Sequence, residues 1–210
     1  MIMTATVFII DDDDAMRKSL RRLLRAENIP AEDFNSAQGY LDREYFDGVG
    51  CILLDINMPG ISGIELQAQL VALGNDLPVI FLTGYGNIPL SVEAMKQGAL
   101  DFLTKPVDEA DLLPTIKQAL DHHRSIRETT GIQRAIEDRL ASLTPREKEV
   151  MCELITGAPN KIVADRLQIA VKTVKVHRAS LLQKMGVRSI AELVHLCHLV
   201  GTDPDCDVTL

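Results

Sequence analysis

The sequence predicts an α/β fold: a doubly wound, five-stranded parallel sheet, joined by a helical linker to a small all-α domain of four helices. Three observations carry this expectation. Over residues 1–121, short apolar runs alternate with helix-like stretches five times, the rhythm of βα units. The runs near 50–54 and 78–82 are apolar throughout and flanked by turn signals, as strands buried on both faces must be. From residue 142 the punctuation changes to helix caps and glycine stops. A chain of 210 residues with 46% hydrophobic content suits two small domains, each with its own core.

In the first domain, residues 1–121, strands are expected near 5–10, 30–34, 50–54, 78–82 and 100–103. Helices are expected near 14–27, 36–44, 63–72, 88–97 and 108–121. Asp14 fits an N-cap for the helix Ala15 to Ala26. Pro114 lies six residues past Asp108, and its ring would meet the carbonyl of Ala110, so the last helix is expected to start near Asp111. Residues 122–141 read as a helical linker. Ile126, Ile132, Ile136 and Leu140 form a sparse stripe, and Gly131 interrupts it as a hinge at about 1 kcal/mol. The alternative for this stretch is a disordered polar linker.

The second domain is placed at 142–202, with a tail at 203–210. Thr144-Pro145-Arg146-Glu147 is a capping box with proline at the first helical position, and Gly157 closes that helix. Asn160 is expected to cap a short helix, Lys161 to Leu167. After the turn Gln168-Ile169-Ala170 comes a longer helix from Val171 to Met185, stopped by Gly186. Ser189-Ile190-Ala191-Glu192 opens a fourth, to about Val200. A tight turn between the middle two gives a helix-turn-helix.

No apolar stretch reaches membrane-spanning length, and the first apolar run lacks a basic flank, so neither a membrane partner nor a signal peptide is expected. The four cysteines have no metal-ligand spacing. Cys51, Cys152 and Cys197 lie in apolar patterns and read as reduced core residues of a cytoplasmic protein, leaving Cys206 in the tail. Charge splits along the chain. Residues 1–121 hold nine Lys and Arg against nineteen Asp and Glu, a balance of −10. Residues 142–200 hold nine against five. A net charge of −8 therefore does not exclude nucleic-acid binding, because the basic surface is local.

Polar groups gather at the strand ends of the first domain. Asp11 and Asp12 follow Val7-Phe8-Ile9-Ile10, and Asp55 ends Cys51-Ile-Leu-Leu. Thr83 follows Pro78 to Leu82, and Lys105 follows Leu100 to Thr104. In a parallel sheet these ends share one edge, where ligands bind. Mg²⁺ (or Mn²⁺) takes carboxylate oxygens and keeps waters, so Asp11, Asp12 and Asp55 suffice beside the backbone carbonyl of Asn57. A carboxylate is a competent nucleophile for an aspartyl-phosphate. Lys105 would neutralise the transferred group, and Thr83 would donate to one of its oxygens beside Gly84, which leaves room. Asp13 and Asp14 read as solvated charges. Tyr85 and Asn87 read as loop residues near the pocket.

These residues, with DINMPGISG at 55–63 and FLTKP at 102–106, resemble the receiver domain of two-component response regulators, a flavodoxin-like fold. The resemblance implies phosphorylation of Asp55 by a sensor histidine kinase, a cis Lys105-Pro106 bond, and a switch in which Phe102, otherwise partly core-facing, follows Thr83. LTPREKEV at 143–150, G-x-x-NK-x-V-A at 157–164 and TVKVHR at 173–178 resemble the LuxR-type domain of FixJ/NarL regulators. Ala170 departs from that pattern, where relatives carry a capping Ser or Thr.

In a helix-turn-helix the second helix enters the major groove. Positions 172, 175, 176 and 179 share a face. Lys175 could bond guanine and Val176 a thymine methyl, with Ala179 offering only a methyl. Lys161, Lys172, Thr173, Arg178 and Lys184 are phosphate candidates, and His177 reads as structural. The expected protein is not an enzyme. It is a phosphorylation-controlled transcription factor that dimerises, binds double-stranded promoter DNA and works with RNA polymerase. The competing readings are a small-molecule aspartyl-phosphate hydrolase and a constitutive DNA binder. The first lacks a second carboxylate in Asp55-Ile56-Asn57; the intact Asp11, Asp12, Asp55, Thr83, Lys105 set opposes the second.

Overall fold

The structure is a computed structural model and describes residues 5–84 and 95–201. The chain divides into two compact units, Met1–Arg127 and Glu128–Leu210. Tyr85, Asn87, most of the helix expected near 88–97, Cys206 and the tail lie outside the described residues.

The first unit contains β1 (Thr6–Ile10), α1 (Asp14–Ala26), β2 (Ala31–Phe34), α2 (Ala37–Leu41), β3 (Gly50–Asp55), α3 (Gly63–Ala72), β4 (Val79–Thr83), β5 (Asp101–Thr104) and the start of α4 (Glu109–Ala141). All strand pairs are parallel, in the order β2-β1-β3-β4-β5. Alternation along the central strands sorts their side chains onto two faces. Phe8, Ile10, Ile52, Leu54 and Phe81 pack with Tyr40, Leu66 and Leu70. Val7, Ile9, Cys51, Leu53, Ile80 and Leu82 pack with Leu20 and Leu24 of α1 and Leu112 and Ile116 of α4. Every residue of β3 is buried, so this strand is fixed from both sides.

Three local readings need correction. Asp13, not Asp14, caps α1: its carboxylate accepts from the amides of Ala15 and Met16. Asp14 instead pairs with Lys18 and Arg17. The last helix of the unit begins at Glu109, not Asp111, with Asp108 accepting from the amide of Ala110. Pro114 removes only the bond to the carbonyl of Ala110, and Ala110 is solvent-exposed, so water can satisfy it. Finally, α4 continues as helix through Gly131 to Ala141. Its segment 122–127 belongs to the first unit. Its Ile136 is buried in the core of the second.

The second unit adds α5 (Pro145–Ile155), α6 (Asn160–Arg166), α7 (Val171–Met185) and α8 (Ile190–Leu199). Val150, Leu154, Val163, Val174, Leu181 and Leu193 form its core with Ile136. The Thr144–Glu147 capping box forms as expected. Asn160 does not cap α6. Pro159 holds that position without a side-chain bond, and the Asn160 carboxamide accepts from Arg178. Ser189 caps α8, but Glu192 accepts from the Arg188 amide, so that box is not reciprocal. Gly157 and Gly186 have φ of 84° and 68°, the left-handed conformation that ends a helix.

Cys51 and Cys197 are buried free thiols, and burial pushes the Cys51 pKa up to about 12. Cys152 is not the reduced core residue expected. It is half-buried and disulfide-bonded.

Candidate functional site

Strand order reverses between β1 and β3, and the crevice at their carboxyl ends is where this fold binds ligands. The register pairs Ile10 with Leu54, which sets Asp11 and Asp55 level across the crevice. One ligand oxygen from each of Asp11, Asp12 and Asp55 lies within 4.8 Å of the others. Asp11 and Asp55 are buried, and Asp12 is exposed at the mouth. The Lys105 ammonium, arriving from the end of β5, donates to Asp11 Oδ2 at 2.7 Å and lies 2.9 Å from Asp55 Oδ2. Lys105-Pro106 is cis.

Burial pushes the Asp55 carboxyl above its ordinary 3.8, against the opposing pull of Lys105. Burial alone would lower the Lys105 pKa, but the hydrogen bonds to Asp11 and Asp55 outweigh it and carry it above 10.5. One Asp55 oxygen accepts the Asn57 amide at 3.3 Å, so the residue named for its carbonyl also steadies the acid through its N–H. Thr83, buried at the end of β4, donates its hydroxyl to the carbonyl of Gly84 at 3.1 Å. Phe102 is 41% exposed on β5, an edge strand.

Two residues that sequence reasoning passed over shape this pocket. Arg17, buried on α1, donates to the backbone carbonyls of Asp11 and Asp12 at 2.8 and 3.1 Å, and its other nitrogens pair with Asp14 and Asp33. It holds the loop from behind, leaving the carboxylates forward. Gly63, the last residue of the DINMPGISG motif, closes the β3–α3 loop. A Cβ there would sit 2.2 Å from the Asp55 carbonyl oxygen. Gly63→Ala is expected to displace the Asp55 backbone, lowering phosphorylation and stability by roughly 1–3 kcal/mol. Urea unfolding and a phosphorylation time course check it.

In the second unit, Lys172, Thr173, Lys175, Val176 and Ala179 are all exposed on the first half of α7, and Lys161 is exposed on α6. Val176 is 61% exposed, an apolar side chain held in solvent on a cationic face. The turn before α7 carries Gln168 at φ 52°, and Arg146 donates to the carbonyl of Leu167 at 2.7 Å. Ala170 gives no side-chain cap. His177 is half-buried.

Lys184 is paired within the domain. Its ammonium pairs with buried Glu147 at 2.7 Å and donates to the carbonyl of Ser142. Arg178 is half-buried and ties α7 to Asn160 of α6, which makes it a packing contact first. Arg139, from the stretch read as linker, donates to the carbonyl of Met185 and anchors the far end of α7.

Residues 7–117 match the response regulator receiver domain, and residues 141–197 match the luxR family of bacterial regulatory proteins. The transcriptional regulatory protein FixJ of Azorhizobium caulinodans is 40% identical over 203 residues, covering 97% of this chain and 96% of its own. The chain belongs to the response regulator family. This response regulator is also 38% identical to the TodT protein of Pseudomonas putida, over 91% of this chain and 85% of that one. Among solved structures, the response regulator StyR superposes with a TM-score of 0.88 at 45% identity, covering 93% of this chain and 98% of that one. Full-length FixJ from B. japonicum gives 0.58 at 38% identity, covering 96% and 99%. The response regulator thus joins a receiver to a LuxR-type DNA-binding domain and controls transcription. No helix among the described residues is long and apolar enough to cross a membrane.

Proposed function

We propose that Asp55 accepts a phosphoryl group from a sensor histidine kinase and that this modification governs binding of the LuxR-type domain to promoter DNA. The observation that carries the reading is Lys105 spanning Asp11 and Asp55, with Asp12 at the mouth. Three converging carboxylates fit a hard divalent cation, Mg²⁺ or Mn²⁺, held by Asp11, Asp12, Asp55 and the Asn57 carbonyl. When bound, that ion supplies charge neutralisation of the phosphoryl oxygens. An Asp55 oxygen attacks phosphorus as the P–N bond to the kinase's phosphorylated histidine breaks and its imidazole leaves. Lys105 then moves from a carboxylate pair to pairing with the new dianion, and Thr83 turns its hydroxyl from Gly84 to a phosphoryl oxygen.

Phe102, exposed at the neighbouring strand, follows into the space that Thr83 vacates. That changes the β5 surface, which then pairs with its twin in a symmetric dimer. On DNA, Lys175 and Val176 read base edges, Ala179 allows close approach, and Lys161, Lys172 and Thr173 hold phosphates. RNA polymerase is the downstream partner. Phosphorylation, or beryllofluoride with Mg²⁺, is expected to convert monomer to dimer and raise operator affinity by roughly 5–150-fold. Sedimentation and footprinting with and without phosphoryl donor test it. Thr83→Ala should accept phosphate yet lose most of the shift. A fully phosphorylated monomer, or a Thr83→Ala variant that dimerises normally, sinks the mechanism.

A further inference from the structure

His123 lies on α4 inside the stretch that the sequence presents as linker, and it is completely buried. Its Nδ1 accepts the backbone N–H of Gly50, the first residue of β3, at 2.9 Å. Acceptance at Nδ1 places the single proton of neutral imidazole on Nε2. Nε2 is 3.3 Å from Asp76 Oδ1 but without hydrogen-bond alignment, so its N–H is only loosely met. One helical turn on, Arg127 pairs with Asp47, in the loop that leads into β3. These two contacts fasten the end of the receiver portion of α4 to the amino end of the strand that carries Asp55.

We propose that His123 is a pH-sensitive latch: neutral, it holds the Asp121–Arg127 turns of α4 on the amino end of β3, and protonated, it lets them go. Protonation puts a hydrogen on Nδ1, which then faces the Gly50 N–H donor to donor, and the buried amide loses its acceptor. The charged groups facing the imidazole are Asp76 from the loop before β4 and Arg127 from α4 itself, while β3 presents the Gly50 amide. Burial disfavours the imidazolium most. Asp76 opposes that and Arg127 reinforces it, leaving the pKa below its ordinary 6.5. Because the folded-state pKa is depressed, the latch contributes fully above about pH 6.5 and is lost as pH falls through the lower, folded value.

The latch acts on a helix that the receiver shares with the core of the other unit, so acidification would loosen α4 without any change at Asp55. Hydrogen-exchange protection of residues 120–127, measured on the full chain and corrected for intrinsic rates, is the test. Wild type is expected to lose protection by roughly tenfold or more between about pH 7.5 and pH 5.5. His123→Gln offers a carbonyl that can accept the Gly50 N–H but cannot titrate, and should stay protected across that range. Imidazole ¹⁵N shifts of the wild type report the Nε2–H tautomer directly and separate His123 from exposed His122. Protection of wild type that does not change with pH overturns the latch. So does a His123→Gln protein that retains the wild-type pH response, or an Nδ1–H tautomer at neutral pH.

Discussion

Asp12→Ala is expected to abolish Mg²⁺-dependent phosphorylation of the full chain while leaving it folded. Asp12 is the exposed member of the carboxylate group, and the atom that Arg17 holds is its backbone carbonyl, not its carboxylate. The substitution therefore keeps the loop and removes only charge, and surface changes of that kind usually shift stability within about 0.5 kcal/mol. It also relieves the repulsion among three acids in one pocket. The chemical loss is much larger. Removing one electrostatic contributor from such a site costs roughly 10²–10³ in rate. Phosphate-affinity electrophoresis with acetyl phosphate and Mg²⁺ reads the loss, and circular dichroism reads the fold. Normal phosphorylation of this variant at ordinary Mg²⁺ concentrations contradicts the metal assignment.

Glu147→Ala is expected to destabilise the DNA-binding domain by roughly 2–4 kcal/mol, the combined cost of a helix cap and of charged hydrogen bonds inside a core. Glu147 is 4% exposed. Its carboxylate accepts from the Thr144 amide and hydroxyl at 2.8 and 2.9 Å, from Ser180 at 2.6 Å and from Lys184 at 2.7 Å. It thus pins the start of α5 to the middle of α7, the helix proposed to read DNA. Lys184 first, then Ser180 and Thr144, hold its pKa at about 2, below the ordinary 4.5. A depressed folded-state value stabilises the domain fully above about pH 4.5, and that contribution is lost as pH falls toward about 2. Glu147→Gln keeps the shape and should flatten the acid limb of a stability-against-pH curve. Unfolding curves of wild type and both variants decide it; an unchanged acid limb in Glu147→Gln refutes the assignment.

Where local chemistry sets the structure, the sequence was readable. The fully apolar Cys51-Ile-Leu-Leu run, flanked by turn signals, pointed to a central strand, and Thr144 with a glutamate three residues on pointed to a helix start. Because the carboxyl ends of parallel strands share an edge, Asp11, Asp55, Thr83 and Lys105 could be grouped without coordinates. What escaped depends on partners distant in sequence. Lys184 looks like any surface cation until α5 brings Glu147 against it, 37 residues away. Arg17 reads as one of several basic residues of α1, and only the returning β1 loop makes it a clasp. His123 and Arg139 sat in a stretch whose sparse stripe said helix but not what it touches. Asp13 and Asp14 compete for one cap, and a single backbone angle decides between them.

The unbroken course of α4 bears on how such proteins can be cut and recombined. Leu112, Ile116 and Ala119 of this helix are buried in one core and Ile136 in the other, so no peptide bond in it separates two self-sufficient modules cleanly. A fragment trimmed to begin at residue 142 discards Ile136, a core side chain, and Arg139, which caps the far end of α7. It leaves a vacancy in the core cluster to which Ile136 belongs. Exchange of DNA-binding modules between relatives therefore has one tolerant window, the exposed turns around Gly131, and grafts joined there carry their own supporting half-helix with them.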